Sequence, residues 1–336
     1  MMMKKMTVNN RSEKRKIRWW RIPIIILAVV GAGSLLLNGC GKFMENIQSV
    51  PENYTTTVKT AGELEAKYMA MGSHKVSYFE SYAMMSFQKY EIFYPSDIAD
   101  IDKQLPVVVF VNGTGIKGSK YKALQKHMAS WGFITIATEE DFAWNGFSAE
   151  MSVRFLEKLN SSELFDNKDN VFYQKINLKS IGVTGHSQGG YGVVNAITVQ
   201  KHAASYKAAV ILSSDASFSG NDFMWDADST LIKTPSLIVG STGKLDSVIA
   251  SLENLQGLYS NIQDGTTKVL ARRNDADHGQ MLYYADGYVT AWFMYYLQDD
   301  EEAKAAFFTN DAEILTNPLY QNQQIYQAKY PSTDED

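Results

Sequence analysis

Hydrophobic and polar positions change period repeatedly along this chain. Val76–Glu80 and Lys89–Tyr94 alternate apolar and polar residues, the mark of strands with one buried face. Leu105–Val111 is instead a continuous apolar run, which predicts a strand covered on both faces, as in a mostly parallel sheet. Short apolar stretches at Phe133–Thr138, Ser180–Thr184, Ala208–Ser213, Ser236–Val239 and Lys268–Ala271 predict further strands. The gaps hold helical segments: Ser119–Ser130, Ala149–Leu159, Gly190–Gln200, Ser247–Tyr259 and Tyr284–Tyr296. Strand then helix, repeated, predicts an α/β fold: one doubly wound, mostly parallel sheet with helices on both faces. Asp215 to Thr234 is too short for a large lid, which predicts an open cleft. Phe218, Phe223 and Trp225 could form one wall of that cleft, or simply pack the loop onto the sheet.

The amino terminus departs from this pattern. A basic stretch (Lys4, Lys5, Arg11, Lys14, Arg15, Lys16, Arg18, Arg21) precedes an uncharged apolar run, Ile22–Leu37, that ends at Leu37-Asn38-Gly39-Cys40. This is the layout of an export signal. As a helix the run spans about 24 Å, short of a hydrocarbon core of about 30 Å. Its end is similar to a bacterial lipoprotein processing site, with Cys40 as the residue to be acylated; an uncleaved signal anchor is the alternative. Either reading predicts an exported body tethered to the membrane of the cell envelope. Residues 41–75 then read as a polar connector or N-terminal extension with a helical patch near Ala61–Met71, residues 76–330 as the α/β domain, and residues 331–336 as an acidic tail.

Charge and cysteine content narrow the function classes. The net charge of the 336 residues is -5, but residues 1–40 carry eight basic groups and one acid. The remainder therefore holds 24 basic against 36 acidic side chains, a poor surface for neutralising phosphates, so nucleic acid is not an expected partner. One cysteine in the whole chain excludes a disulfide framework and any multi-cysteine metal site.

The strongest chemical signal is Gly185-His186-Ser187-Gln188-Gly189, a G-x-S-x-G turn between an apolar strand and a small-residue helix. In that context the serine sits on a strained turn, and side chains at 185 and 189 would collide with neighbouring backbone. The turn offers Ser187 as a nucleophile and the Gln188 amide as one oxyanion donor. A serine hydroxyl needs a base, and this strand order puts it after the last strand, where His278 lies. His202, at the end of the elbow helix, reads as a solvated residue, and His186 as part of the turn pointing elsewhere. Among the intervening carboxylates Asp246, shortly after Ser236–Val239, is favoured as the partner of His278, with Asp215 as its rival. The loop Asn112-Gly113-Thr114 would add the Thr114 amide to the oxyanion hole.

Two other chemistries compete. Gly113-Thr114-Gly115-Ile116-Lys117-Gly118 fits G-x-G-x-x-G, with Glu139 downstream, as a dinucleotide fingerprint would. Against it, Ser119 reads as the N-cap of the next helix, which would start too late to cradle a pyrophosphate. The carboxylates in Asn274–His278 are a weak metal motif with isolated histidines only.

The segments Val111-Asn112-Gly113-Thr114, His127–Phe133 and Ile181–Gly190 together resemble the dienelactone-hydrolase-like branch of the α/β-hydrolases. More narrowly they are similar to cutinase-type poly(ethylene terephthalate) hydrolases and to chlorophyllases, over about Val76 to Phe308. The resemblance implies a lidless serine esterase with Ser187, Asp246 and His278 as triad, Thr114 and Gln188 amides as oxyanion hole, an ester as substrate, and no cofactor. Asn112 stands where such proteins usually carry His or Pro, which bears on substrate preference. A non-catalytic, envelope-tethered binding protein on the same fold is the alternative, and fluorophosphonate labelling separates the two.

Overall fold

The computed structural model describes residues 49–83, 87–161, 170–216 and 226–328. The expectations for the export signal, Cys40, the aromatics Phe218, Phe223 and Trp225, and the acidic tail fall outside these residues. Among the described residues nine strands form one sheet: β1 (Val76–Tyr82), β2 (Lys89–Pro95), β3 (Leu105–Val111), β4 (Ile134–Thr138), β5 (Ile176–His186), β6 (Tyr206–Leu212), β7 (Ser236–Ser241), β8 (Lys268–Arg273) and β9 (Tyr320–Tyr326). Their spatial order is β1-β2-β4-β3-β5-β6-β7-β8-β9. The strands from β4 to β8 in that order run parallel, while β1, β2 and β9 join antiparallel at the two sides. Every residue of β3, and of β5 from Ile181 on, is buried, as both-face coverage requires.

The main helices are α1 (Glu63–Met69), α2 (Lys122–Ser130), α3 (Phe147–Asn160), α4 (Gln188–Thr198), α5 (Leu252–Asn261) and α6 (Asp286–Gln298). Two expectations need adjusting. The segment Ser247–Tyr259 is not one helix: a single turn, Asp246–Ile249, is followed by α5, whose N-cap Ser251 accepts the Asn254 amide. Strand β9 was not expected at all. Its sequence, Tyr320-Gln321-Asn322-Gln323-Gln324-Ile325-Tyr326, carries neither alternation nor an apolar run, because an edge strand shielded on one side needs little of either.

The stretch from Val50 to Met71, read as a polar connector, packs onto the body instead. Tyr54, Tyr68 and Met69 are buried. Glu313 takes the free amides at the start of α1, accepting from Leu64 at 2.7 Å and Glu65 at 2.8 Å. The buried Glu65 carboxylate in turn accepts from Asn317 Nδ2 at 2.8 Å and the Tyr320 hydroxyl at 3.0 Å.

Tyr54 reaches further in, donating to Asp286 at the start of α6. The same carboxylate oxygen lies 2.7 Å from His127 Nδ1, and His127 Nε2 lies 2.8 Å from the Ala70 carbonyl. A carbonyl can only accept, so Nε2 carries a proton, and a proton on Nδ1 would face the ionised Asp286 carboxylate. Burial pulls the His127 pKa down, but the Asp286 carboxylate and the Ala70 carbonyl outweigh it and hold the pKa above the ordinary histidine value. A raised folded-state pKa gives stability that is full below the unfolded value and is lost as pH rises through the folded one. His127→Gln is therefore expected to cost about 3 kcal/mol near pH 6, the scale of a broken buried pair. That cost should shrink toward pH 9. Urea denaturation of both chains at the two pH values checks this, and a pH-independent difference would refute the imidazolium assignment.

Candidate active site

Strand order reverses between β3 and β5: the chain leaves β3 toward β4 on one side and later enters β5 on the other. Such a switch point opens a crevice at the carboxyl ends of the two strands. The loop after β3 and the turn after β5 flank it.

The turn after β5 has the strain its sequence implies. Ser187 holds φ 56° and ψ -122°, a positive φ that costs a non-glycine residue about 1–3 kcal/mol. Its conformation is pinned from both sides, Ser187 N–H donating to the Leu212 carbonyl and Gly190 N–H to the Ser187 carbonyl, each at 2.9 Å. A Cβ at 185 would lie 2.3 Å from the Gly189 carbonyl oxygen, and one at 189 would lie 2.3 Å from that of Val111. Only glycine permits this approach of the turn to β3. Ser187 itself stays half-buried, with α4 starting at the next residue.

The loop after β3 is fastened by Asn112, whose buried side-chain amide donates to the carbonyls of Thr138 at 2.7 Å and Glu140 at 2.8 Å. The Gly113 amide donates to the Tyr121 hydroxyl and the Gly115 amide to the Asp141 carbonyl. Between them the Thr114 amide is unpaired among the described residues, as is the Gln188 amide at the first position of α4. Two free donors on either side of the crevice can receive an anionic oxygen.

His278 follows β8 and begins a short 3₁₀ turn, His278–Leu282. Its Nδ1 lies 2.7 Å from Asp246 Oδ1, and the other Asp246 oxygen accepts the Ser241 amide at 2.5 Å. Asp246 is fully buried. Burial would raise its pKa, but His278 and the Ser241 amide prevail and hold it below the usual aspartate value. Asp215 is engaged elsewhere, accepting the Tyr191 hydroxyl at 2.7 Å.

Several other expectations are corrected. Ser119 is not an N-cap: a 3₁₀ turn, Gly118–Tyr121, precedes α2, and the Ser119 amide and hydroxyl both donate to Glu139, at 2.7 and 3.1 Å. The acid required by the dinucleotide reading is thus spent on its own loop. His202 is only partly solvated; α4 ends at Thr198, and the half-buried His202 ring lies between Glu150 and Glu157, at 3.0 and 3.2 Å. His186 does not point away: it is buried against His278, with ring centroids 4.5 Å apart. Burial and the neighbouring His278 hold its pKa at about 3, so it is neutral at working pH. Among the described residues no group of acidic or histidine side chains is arranged to hold a metal.

Compared with known protein families, residues 56–324 match the family described as PETase, PET hydrolase-like. The chain belongs to that family. The match covers the sheet from β1 to the middle of β9, including the turn at Ser187 and the Asp246–His278 pair. Among curated proteins no match was found. Membership in the PET hydrolase-like family makes the chain an ester hydrolase by class.

Asp277 and Ser241 are two supports that sequence reasoning did not assign. One oxygen of Asp277 accepts the amides of His278 at 2.9 Å and Leu245 at 3.2 Å, while the Ser241 hydroxyl donates to the Ala276 carbonyl at 2.8 Å. Together they tie the loop after β7 to the loop after β8, fixing the Asp246–His278 distance. The signal was there: Asp277 with Gln280 forms a capping box, Gln280 Oε1 accepting the Asp277 amide at 2.8 Å.

Proposed function

We propose that this chain is a serine carboxylic-ester hydrolase acting through an acyl-enzyme. The carrying observation is the juxtaposition at one switch point of a strained serine turn, two unpaired amides and a buried aspartate–histidine pair. In this reading Ser187 Oγ attacks the ester carbonyl while His278 Nε2 takes its proton. Asp246 accepts the Nδ1 hydrogen, fixes the tautomer and balances the imidazolium. The Thr114 and Gln188 amides receive the oxyanion of the tetrahedral intermediate. That intermediate collapses as His278 returns the proton to the leaving alcohol, leaving an acyl group on Ser187. Water, deprotonated by His278, then releases the acid and restores the serine.

The shortness of the Asp215–Thr234 segment, too small for a large lid, points to short acyl esters as the preferred substrates. A series of p-nitrophenyl esters of rising chain length tests the activity, and fluorophosphonate labelling with peptide mapping tests the nucleophile. Turnover without label on Ser187, or no turnover of any ester, would refute the reading.

We also propose that the body is exported and held at the cell envelope through acylated Cys40. The support is the basic stretch, the apolar run and the position of the lone cysteine at its end. No described helix is long and apolar enough to cross a membrane. The mature protein is expected to begin at Cys40 with a mass increased by its acyl chains, and a mass spectrum with unmodified Cys40 would overturn this.

A further inference from the structure

The proposed mechanism needs His278 to keep one position through two proton transfers, yet Asp246 grips only the ring at Nδ1. The His278 main chain opens the 3₁₀ turn His278–Leu282, and its amide bond to Asp277 ties it to the loop after β7 but not to the turn that carries Ser187. His186, one residue before Ser187, closes that gap. Its Nε2 lies 2.7 Å from the His278 main-chain oxygen, and its side chain is buried. Because the carbonyl only accepts, Nε2 carries the hydrogen and donates it, and Nδ1, which has no partner, holds the lone pair. The ring is neutral, so it adds no charge beside His278 when that imidazole becomes cationic. One hydrogen bond therefore joins the nucleophile's own turn to the base's loop, 92 residues further along the chain.

We infer that His186 is a positioning residue: its Nε2–H holds the His278 backbone and thereby sets the distance between nucleophile and base. The inference rests on the roles given above to Ser187 and His278. It differs from packing because the donor, not the ring volume, is what matters.

His186→Phe keeps an aromatic ring and removes the donor. A small cavity of about 20 Å³, lined by His186, Tyr121, Leu124 and Met128, can take its extra volume. His186→Gln places an amide N–H near the Nε2 position, and His186→Met is a second, more pliable donor-free variant in case the rigid ring is not accommodated. With p-nitrophenyl acetate, the donor-free variants are expected to lose about 10- to 100-fold in kcat, the scale of an ångström-level misplacement. KM should stay within about twofold. Fluorophosphonate labelling of Ser187 should slow by the same factor, and His186→Gln should recover kcat to within about threefold of the parent. Donor-free variants with parental kcat, or a glutamine variant as impaired as they are at unchanged Tm, would overturn the inference. A parent chain that turns over no ester would instead overturn the site reading itself.

Discussion

Ser187→Ala is expected to lower kcat/KM for p-nitrophenyl esters by on the order of 10⁴-fold or more and to abolish fluorophosphonate labelling. The size follows from what the proposed mechanism would lose: without the hydroxyl no acyl-enzyme could form, and only binding and the two amides would still act on the ester. The fold should survive. The turn is held by main-chain bonds to Leu212 and Gly190, not by the serine side chain, and alanine meets the positive φ with the same strain as serine. Circular dichroism and Tm unchanged beside a dead enzyme are the expected pair of results. Residual labelling at Ser187→Ala would move the nucleophile elsewhere.

Asp246→Asn is expected to cost about as much in kcat, on the order of 10⁴-fold, for a different reason. The asparagine keeps the volume but can turn its NH₂ toward His278 Nδ1, which selects the wrong tautomer and leaves Nε2 without the lone pair needed to accept the serine proton. Asp215→Asn should leave kcat within about threefold, since its carboxylate serves the Tyr191 hydroxyl. The opposite ranking of the two variants would exchange their roles. Stability gives an independent check. The lowered folded-state pKa of Asp246 means that its contribution is present above the ordinary aspartate pKa and is lost as pH falls through the lowered value. The acid limb of the stability curve should accordingly be shallower in Asp246→Asn than in the parent.

The central strands were legible because a parallel strand covered on both faces has to be apolar throughout, as Val107 to Val111 are. Gly185 and Gly189 were legible for a related reason: backbone contacts at 2.3 Å leave no room for any other residue. What pattern could not reach was pairing across the chain. Strand β9 owes its place to β8, not to its own sequence, and the docking of Tyr54 and Glu65 depends on Asp286, Asn317 and Tyr320. Histidines were misjudged in the same way. His202 looked like a surface residue until Glu150 and Glu157, from another helix, were brought to it. His186 looked like a bystander because nothing in five consecutive residues reveals a carbonyl 92 positions away.

The bonds from Glu313, Asn317 and Tyr320 to Leu64 and Glu65 also order events during synthesis. The start of the folded body is made first but finds these partners only after nearly all the chain has left the ribosome. Until then the segment that buries Tyr54, Tyr68 and Met69 lacks these bonds. On the export route proposed above, such lateness would help the chain cross a membrane as an unfolded thread, since premature closure would stall its passage.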